Sequence, residues 1–226
     1  MRIRVIFGSY EGGYPPDAIE ARKHCLLRYV SPGVKVDFSF LDQNAGTVYA
    51  QSIEPDSHRK IQAAFFRKVI ESERDGYDAV TLYGTLDPGI EAANRLVRIP
   101  VVGWGIATYH AAALLGRKLG VIVYEDSYLA LTRRTLKELR MQPLVASLRS
   151  VGIPLSEMLD RRVELGERLI EVGRDAVARG AEAIYPQGVS MIPLHYAPEE
   201  IAREVGVPVI NAMKIGFRMT EILAAP

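Results

Sequence analysis

Along the chain, short runs of β-branched and aromatic residues alternate with longer stretches in which apolar positions recur at helical spacing. The runs are IRVIF (3–7), VKVDFSF (34–40), AVTLY (79–83), VVG (101–103), LGVIVY (119–124), PLVASL (143–148), AEAIY (181–185) and VPVIN (207–211), each read as a strand. Between them the pattern predicts helices at 17–30, 56–75, 89–97, 106–117, 127–140, 157–179, 198–205 and 212–223. Strand and helix taking turns in this way predicts an α/β fold with parallel sheets, since parallel neighbours need a crossover that a helix supplies. No low-complexity linker separates the elements.

The pattern also repeats. GYDAVTLYG (76–84) and GAEAIYPQG (180–188) each run glycine, one residue, acid, alanine, apolar residues and a glycine at the strand's carboxyl end. A helix and a proline-preceded strand follow both, IPVVG (99–103) in one case and VPVIN (207–211) in the other. A duplicated unit is the simplest reading. It predicts two pseudo-symmetric lobes, 1–103 plus 211–226 and 104–210, each a parallel sheet flanked by helices. Ligands of open parallel sheets sit at the carboxyl ends of the strands. GTLDPG (84–89) and QGVS (187–190) are therefore expected to wall an active-site cleft between the lobes, with Gly84 and Gly188 allowing φ > 0 and close approach to the main chain. Asp87 is expected to cap a helix that Pro88 starts.

Charge narrows the partners. The 28 basic and 27 acidic residues nearly cancel, with no basic run to neutralise successive phosphates or bind an anionic bilayer, so nucleic acid and membrane are not expected partners. The amino-terminal apolar stretch breaks off at Gly and Glu, which is too short for a signal peptide or a span and predicts a cytoplasmic protein. The one cysteine, Cys25, sits in the helical ARKHCLLRYV and reads as a packed residue. His24, His58, His110 and Cys25 show no metal-ligand spacing, and GSYEGG after the first strand lacks the dinucleotide spacing; no metal and no cofactor are expected.

Several phrases resemble the hydantoin racemase branch of the aspartate/glutamate racemase superfamily. That branch has Cys-Phe-Gly-Asp-Pro-Gly, then an apolar residue, Glu-Ala-Ala and Ile-Pro-Val-Val-Gly; here GTLDPGIEAANRLVRIPVVGWG (84–105) and HAAALLGRKLGVIV (110–123) are similar. QSIE (51–54) looks like its Ser-Ile-Glu, and GAEAIYPQGVSM (180–191) like its second cysteine segment. The resemblance implies the two-lobed racemase architecture, a small-molecule substrate and association into a homo-oligomer, for which the apolar face of RVELGERLIEVG (162–173) is a candidate. It also sets Gly84 and Gly188 at the two cysteine positions, and Phe7, Gly8 and Ser9 at an Asn-Pro-Asn. Racemisation needs an acid and a base on opposite faces of a carbon, and glycine supplies neither. Ordinary two-cysteine racemisation is therefore not expected.

What remains near the expected cleft is hydroxylic, phenolic and acidic. By similarity to the one-cysteine decarboxylases of the superfamily, Thr85, Tyr124 and Ser190 are the expected donors to an enolate or oxyanion. Glu11 and Glu125 lead the expected proton carriers, ahead of Asp126, which is placed to cap a helix, and His195. Ser9, Tyr10, Gly84, Gln187, Gly188 and Val189 are the expected substrate contacts. Tyr83 and Tyr185 end equivalent strands, but strand alternation turns residues before an inward glycine toward the core. The expected chemistry is a lyase or hydrolase reaction on a hydantoin-like or carboxylate substrate, with a racemase using non-cysteine bases, or a ligand-binding protein without turnover, as alternatives.

Overall fold

In the computed structural model, which describes residues 1–45 and 55–225, the strand and helix pattern becomes two units, Met1–Ala107 with Met213–Pro226, and Thr108–Ala212. The first contains β1 (Arg2–Tyr10), α1 (Pro16–Leu27), β2 (Lys35–Leu41), α2 (Pro55–Arg74), β3 (Ala79–Tyr83), α3 (Ile90–Asn94), β4 (Val101–Val102) and the start of α4 (Trp104–Leu114). Its strands pair in the order β2-β1-β3-β4, all parallel. Because successive side chains of a strand take opposite faces, Val80 and Leu82 of β3 join Ile6 and the α2 residues Ile61, Phe65 and Val69 in one core. Tyr83 turns the other way, stacking on Phe7 at 4.7 Å between ring centroids and meeting Trp104 at 5.2 Å.

The second unit holds the rest of α4, then β5 (Leu119–Val123), α5 (Ser127–Glu138), β6 (Val145–Ser150), α6 (Arg162–Ala178), β7 (Ala183–Pro186), a π-type turn over Ser190–His195 and α7 (Pro198–Val205). The chain then enters α8 (Ala212–Ala224), most of which belongs to the first unit. Its parallel sheet runs β6-β5-β7, the order of the first sheet without its fourth member. The strand expected at 207–211 is reduced to one bridge between Ile184 and Val209, flanked by hydrogen bonds from Ile184 to Pro208 and from Ile210 to Ile184, both 2.8 Å. Pro208 lacks the N–H that a longer ladder would use.

The phrase that recurs in sequence recurs in structure. Gly76 and Gly180 take positive φ, 74° and 92°. The following acids act alike: Asp78 and Glu182 accept the backbone N–H of Arg2 and Lys118 on a carboxylate oxygen, at 2.6 and 2.8 Å. Their own N–H groups donate to the carbonyls of the same two residues at 2.8 Å. Val80 then donates to Pro100 at 2.9 Å as Ile184 does to Pro208.

One expected surface is used internally. The apolar side of α6 is not open to another subunit: Leu165, Leu169 and Val172 are buried, and Gly166 and Gly173 admit the Tyr196 ring and the Val205 side chain. Of its large apolar residues Val163 stays exposed, among charged neighbours such as Glu164 and Glu167. QSIE (51–54) lies outside the described residues. No described helix is long and apolar enough to cross a membrane.

Candidate active site

Each unit gathers its candidate residues at the carboxyl ends of two paired strands. In the first, β1 and β3 are in register at Phe7 and Tyr83, and β1 runs on through Ser9 to Tyr10, which pairs with Leu41 of β2, while β3 ends and gives way to Gly84 and Thr85. Gly84 has φ 138°, a conformation that side chains rarely adopt, and a Cβ placed on it would meet nothing within 4 Å. Thr85 is buried, as is Ser9, whose hydroxyl donates to the carbonyl of Tyr10 at 3.1 Å. Tyr10 is half-buried and Glu11 is exposed.

Asp87 departs from its expected role. Helix α3 begins at Ile90 with Gly89 as its cap residue, and no side chain caps it. Asp87, a non-glycine residue at φ 48°, instead lays its carboxyl on the amino end of α4. Its Oδ2 accepts the N–H of Ile106 at 2.6 Å, and the N–H groups of Trp104 and Gly105 also donate to the carboxyl. These are the amides that a helix start leaves without intrahelical acceptors, and they carry the positive end of the helix dipole. Gly103 and Gly105 make the nest possible, because a Cβ on either would overlap the Asp87 carboxyl, and one on Gly105 would also strike the Thr85 carbonyl. Asp87 Oδ1 is enclosed with no hydrogen-bond partner among the described residues. Burial pushes this carboxyl up to about 7, against the pull of the three amide donors.

The second unit arranges its turn differently. β5 and β7 pair in register at Ile122 and Pro186, which brings Tyr124 and Glu125 beside Gln187, Gly188, Val189 and Ser190. Contrary to expectation, Gly188 does not take a positive φ. It is bare for a steric reason: a Cβ there would overlap the Tyr124 ring at Cζ, Cε1 and Oη. The phenol therefore fills the space that a side chain at 188 would need. Tyr124 is buried, with its ring edge-on to Tyr128 at 5.4 Å. Val189 and Ser190, at the start of the π-type turn, are buried too. Gln187 is committed inward, its side-chain oxygen accepting from the Tyr109 hydroxyl at 3.0 Å and from Thr132 Oγ1 at 3.1 Å.

The remaining candidates divide between structural duty and solvent. Glu125, an expected proton carrier, accepts a hydrogen bond from Ser127 Oγ at 2.8 Å at the start of α5. Asp126 occupies the cap position of that helix without a capping bond and accepts from Ser150 Oγ at 2.5 Å instead. His195 is half-buried and its carbonyl accepts from Arg162 at 3.1 Å, while His110 is exposed. Tyr83 and Tyr185 are buried, the latter edge-on to Tyr109 at 5.1 Å. Cys25 is a buried packing residue beside Arg28, whose Nη2 lies 3.0 Å from its sulfur. Among the described residues no group of three or more His, Cys, Asp or Glu is arranged to hold a metal ion.

Two parallel α/β units built on one repeated phrase, with glycine turns at matching strand ends, define the class. Residues 31–220 match the Asp/Glu/Hydantoin racemase family, and the chain belongs to it. A hydantoin racemase of Pseudomonas sp. (strain NS671) is 26% identical over 158 residues, 69% of this chain and 62% of that protein, so the chain spans less than two thirds of the relative's length. Among solved structures, an allantoin racemase from Klebsiella pneumoniae aligns over 99% of this chain and 87% of its own with a TM-score of 0.82 and 21% identity. A mutant of arylmalonate decarboxylase in its liganded form covers 99% and 92%, with a TM-score of 0.70 and 20% identity.

Proposed function

We propose that this protein is a cofactor-independent enzyme for a small hydantoin-like or carboxylate substrate, working by lyase or hydrolase chemistry through a stabilised enolate or oxyanion. The observation that carries the reading is the contrast between the two bare glycines. The resemblance sets Gly84 and Gly188 at the positions of the two thiols; the first opens onto space, and the second is covered by the Tyr124 phenol. Two-sided proton traffic through thiols is then replaced by one phenolic donor on one side. In a lyase step the bond to a departing carboxylate breaks, its electron pair passes into an enolate, and the α-carbon afterwards takes a proton. Thr85, Tyr124, Ser190 and the Val189 amide are the proposed donors to the enolate oxygen, and Glu11 and Glu125 the proposed proton carriers. Gly84, with Ser9 and Tyr10, gives the substrate room beside the main chain, and Gln187, Gly188 and Val189 are the proposed contacts from the second unit.

The test is an NMR-monitored incubation in deuterated water with hydantoins, thiohydantoins, 2-arylmalonates and acidic amino acids, run for the natural protein and for Tyr124→Phe. The reading expects a bond other than Cα–H to change, and a loss of about a hundredfold in kcat for the variant, the scale of removing one oxyanion donor. A second reading, a racemase or epimerase with oxygen bases, draws on the names of the relatives and expects Cα–H exchange alone. Tight binding without turnover across the panel would replace both with a ligand-binding role.

A further inference from the structure

Asp87 lies two residues beyond Thr85, a proposed oxyanion donor, and its carboxyl joins the turn after β3 to the first amides of α4. Four features converge on that contact. A non-glycine residue holds a left-handed backbone at φ 48°. Two glycines, Gly103 and Gly105, leave the volume that the carboxyl fills, and the same Gly105 abuts the Thr85 carbonyl. One carboxyl oxygen takes the Ile106 amide at 2.6 Å while the other is enclosed. On the far side, Gly89 is pressed by Gln62 and Phe66 of α2, so the turn is confined from both directions.

We infer that Asp87 is the positioning residue of the candidate site: by clamping the 84–87 turn onto the amino end of α4, it fixes the direction in which Thr85 presents its hydroxyl. The role rests on the proposed function only in so far as Thr85 touches substrate; the clamp itself is independent of any reaction. With one carboxyl oxygen on the amides of α4 and the other enclosed, Asp87 does not present its carboxyl to a substrate, and its role is positioning rather than catalysis. It also makes the clamp responsive to protons. The groups facing the carboxyl are the Trp104, Gly105 and Ile106 amides of α4 and the glycines beside them, with uncharged Gln62 and Phe66 of α2 beyond Gly89. Among the described residues no side-chain charge contributes to its titration, so its protonation follows burial and the amide donors alone.

Three variants separate the clamp from mere backbone fit. Asparagine tolerates the left-handed conformation and keeps an acceptor, so Asp87→Asn retains the clamp without its titration. Glycine tolerates the conformation and has no acceptor, so Asp87→Gly removes the clamp without strain. Gly105→Ala keeps the carboxyl in the sequence but sets a Cβ against it and against the Thr85 carbonyl. Amide and methyl NMR of the natural protein across neutrality is expected to show the Thr85 methyl and the 104–106 amides moving together with one midpoint, absent in Asp87→Asn. In Asp87→Gly and Gly105→Ala the Thr85 methyl is expected to shift or broaden while resonances of the second unit hold. An unmoved Thr85 methyl in a folded Asp87→Gly protein overturns the inference.

Kinetics on any substrate the panel yields add the second readout: kcat falls at least about tenfold for Asp87→Gly with KM little changed, as misplacement of a reacting group does, and Asp87→Asn restores most of it. Equal kcat for the natural protein and Asp87→Gly also overturns it. If no compound is turned over, the function proposed above fails while the NMR comparison still decides the clamp.

Discussion

In the first unit the chain leaving β3 is held by a carboxyl on helix amides, whereas in the second the chain leaving β7 is held by an aromatic ring on a bare α-carbon. Both begin from the same phrase, with a glycine at positive φ, an acid, Asp78 or Glu182, that takes a backbone N–H, and the same bond to the proline carbonyl of the next segment. The amino ends of the strands, where only the fold is at stake, have kept one solution. The carboxyl ends, where the candidate residues gather, differ: one turn has an electrostatic clamp and the other an apolar one. The two clamps answer differently to pH and to added volume, which gives the comparison its sharpest tests.

The largest expected effect is on pH. Asp87 has a folded value of about 7 against 3.8 when unperturbed. Over that interval the folded protein keeps a proton that the unfolded chain has released, so the associated stability is fully present below 3.8 and is lost as pH rises through about 7. The gap is worth about 4 kcal/mol. Urea unfolding across that range is expected to show this decline in the natural protein, its absence in Asp87→Asn, and its persistence in Tyr124→Phe. A natural protein whose profile parallels that of Asp87→Asn would mean that the three amide donors offset the burial of the carboxylate in full.

Added volume comes next. Gly188→Cys forces a Cβ into the Tyr124 ring and is expected to cost about 3 kcal/mol, most of it relieved when Tyr124→Ala is combined with it. Gly84→Cys meets no neighbour and pays only for its backbone conformation, about 1–2 kcal/mol, with no dependence on Tyr124. Thermal melts of the singles and the double give the coupling. Equal costs with no coupling would mean that the two glycines are bare for the same reason after all.

These contrasts mark how far the sequence can be read. The order of strands, the helices and the repeated unit all follow from periodicity and from glycine and proline placement, because those are local properties. The fourth strand expected in the second unit does not form, since apolar VPVIN with its proline supports only a bridge to Ile184. Asp87 was assigned to the nearest helix, while its amides lie 17 to 19 residues further on, beyond β4. The need for glycine at 188 depends on Tyr124, which belongs to another strand end and is brought beside it only by sheet pairing. Candidate residues are thus legible as a list, while the duties of Asp87, Gln187 and Gly188 are not, because each is a contact between segments far apart in the chain.

The smallest effect tests what the units share. Removing the acid in Asp78→Ala or Glu182→Ala deprives the N–H of Arg2 or Lys118 of its acceptor at the amino edge of each sheet. Both carboxylates are exposed, so water takes over part of the bond and each loss is expected to be about 1 kcal/mol or less. Asp78 also stands 4.0 Å from the amino-terminal ammonium, an exposed pair that salt screens. Unfolding at low and high salt is therefore expected to show nearly equal costs for the two variants at high salt and a slightly larger one for Asp78→Ala at low salt. If Glu182→Ala proved several times costlier at both, the matching bonds would be carrying unequal loads, and the repeat would be shared in shape without being shared in energetics.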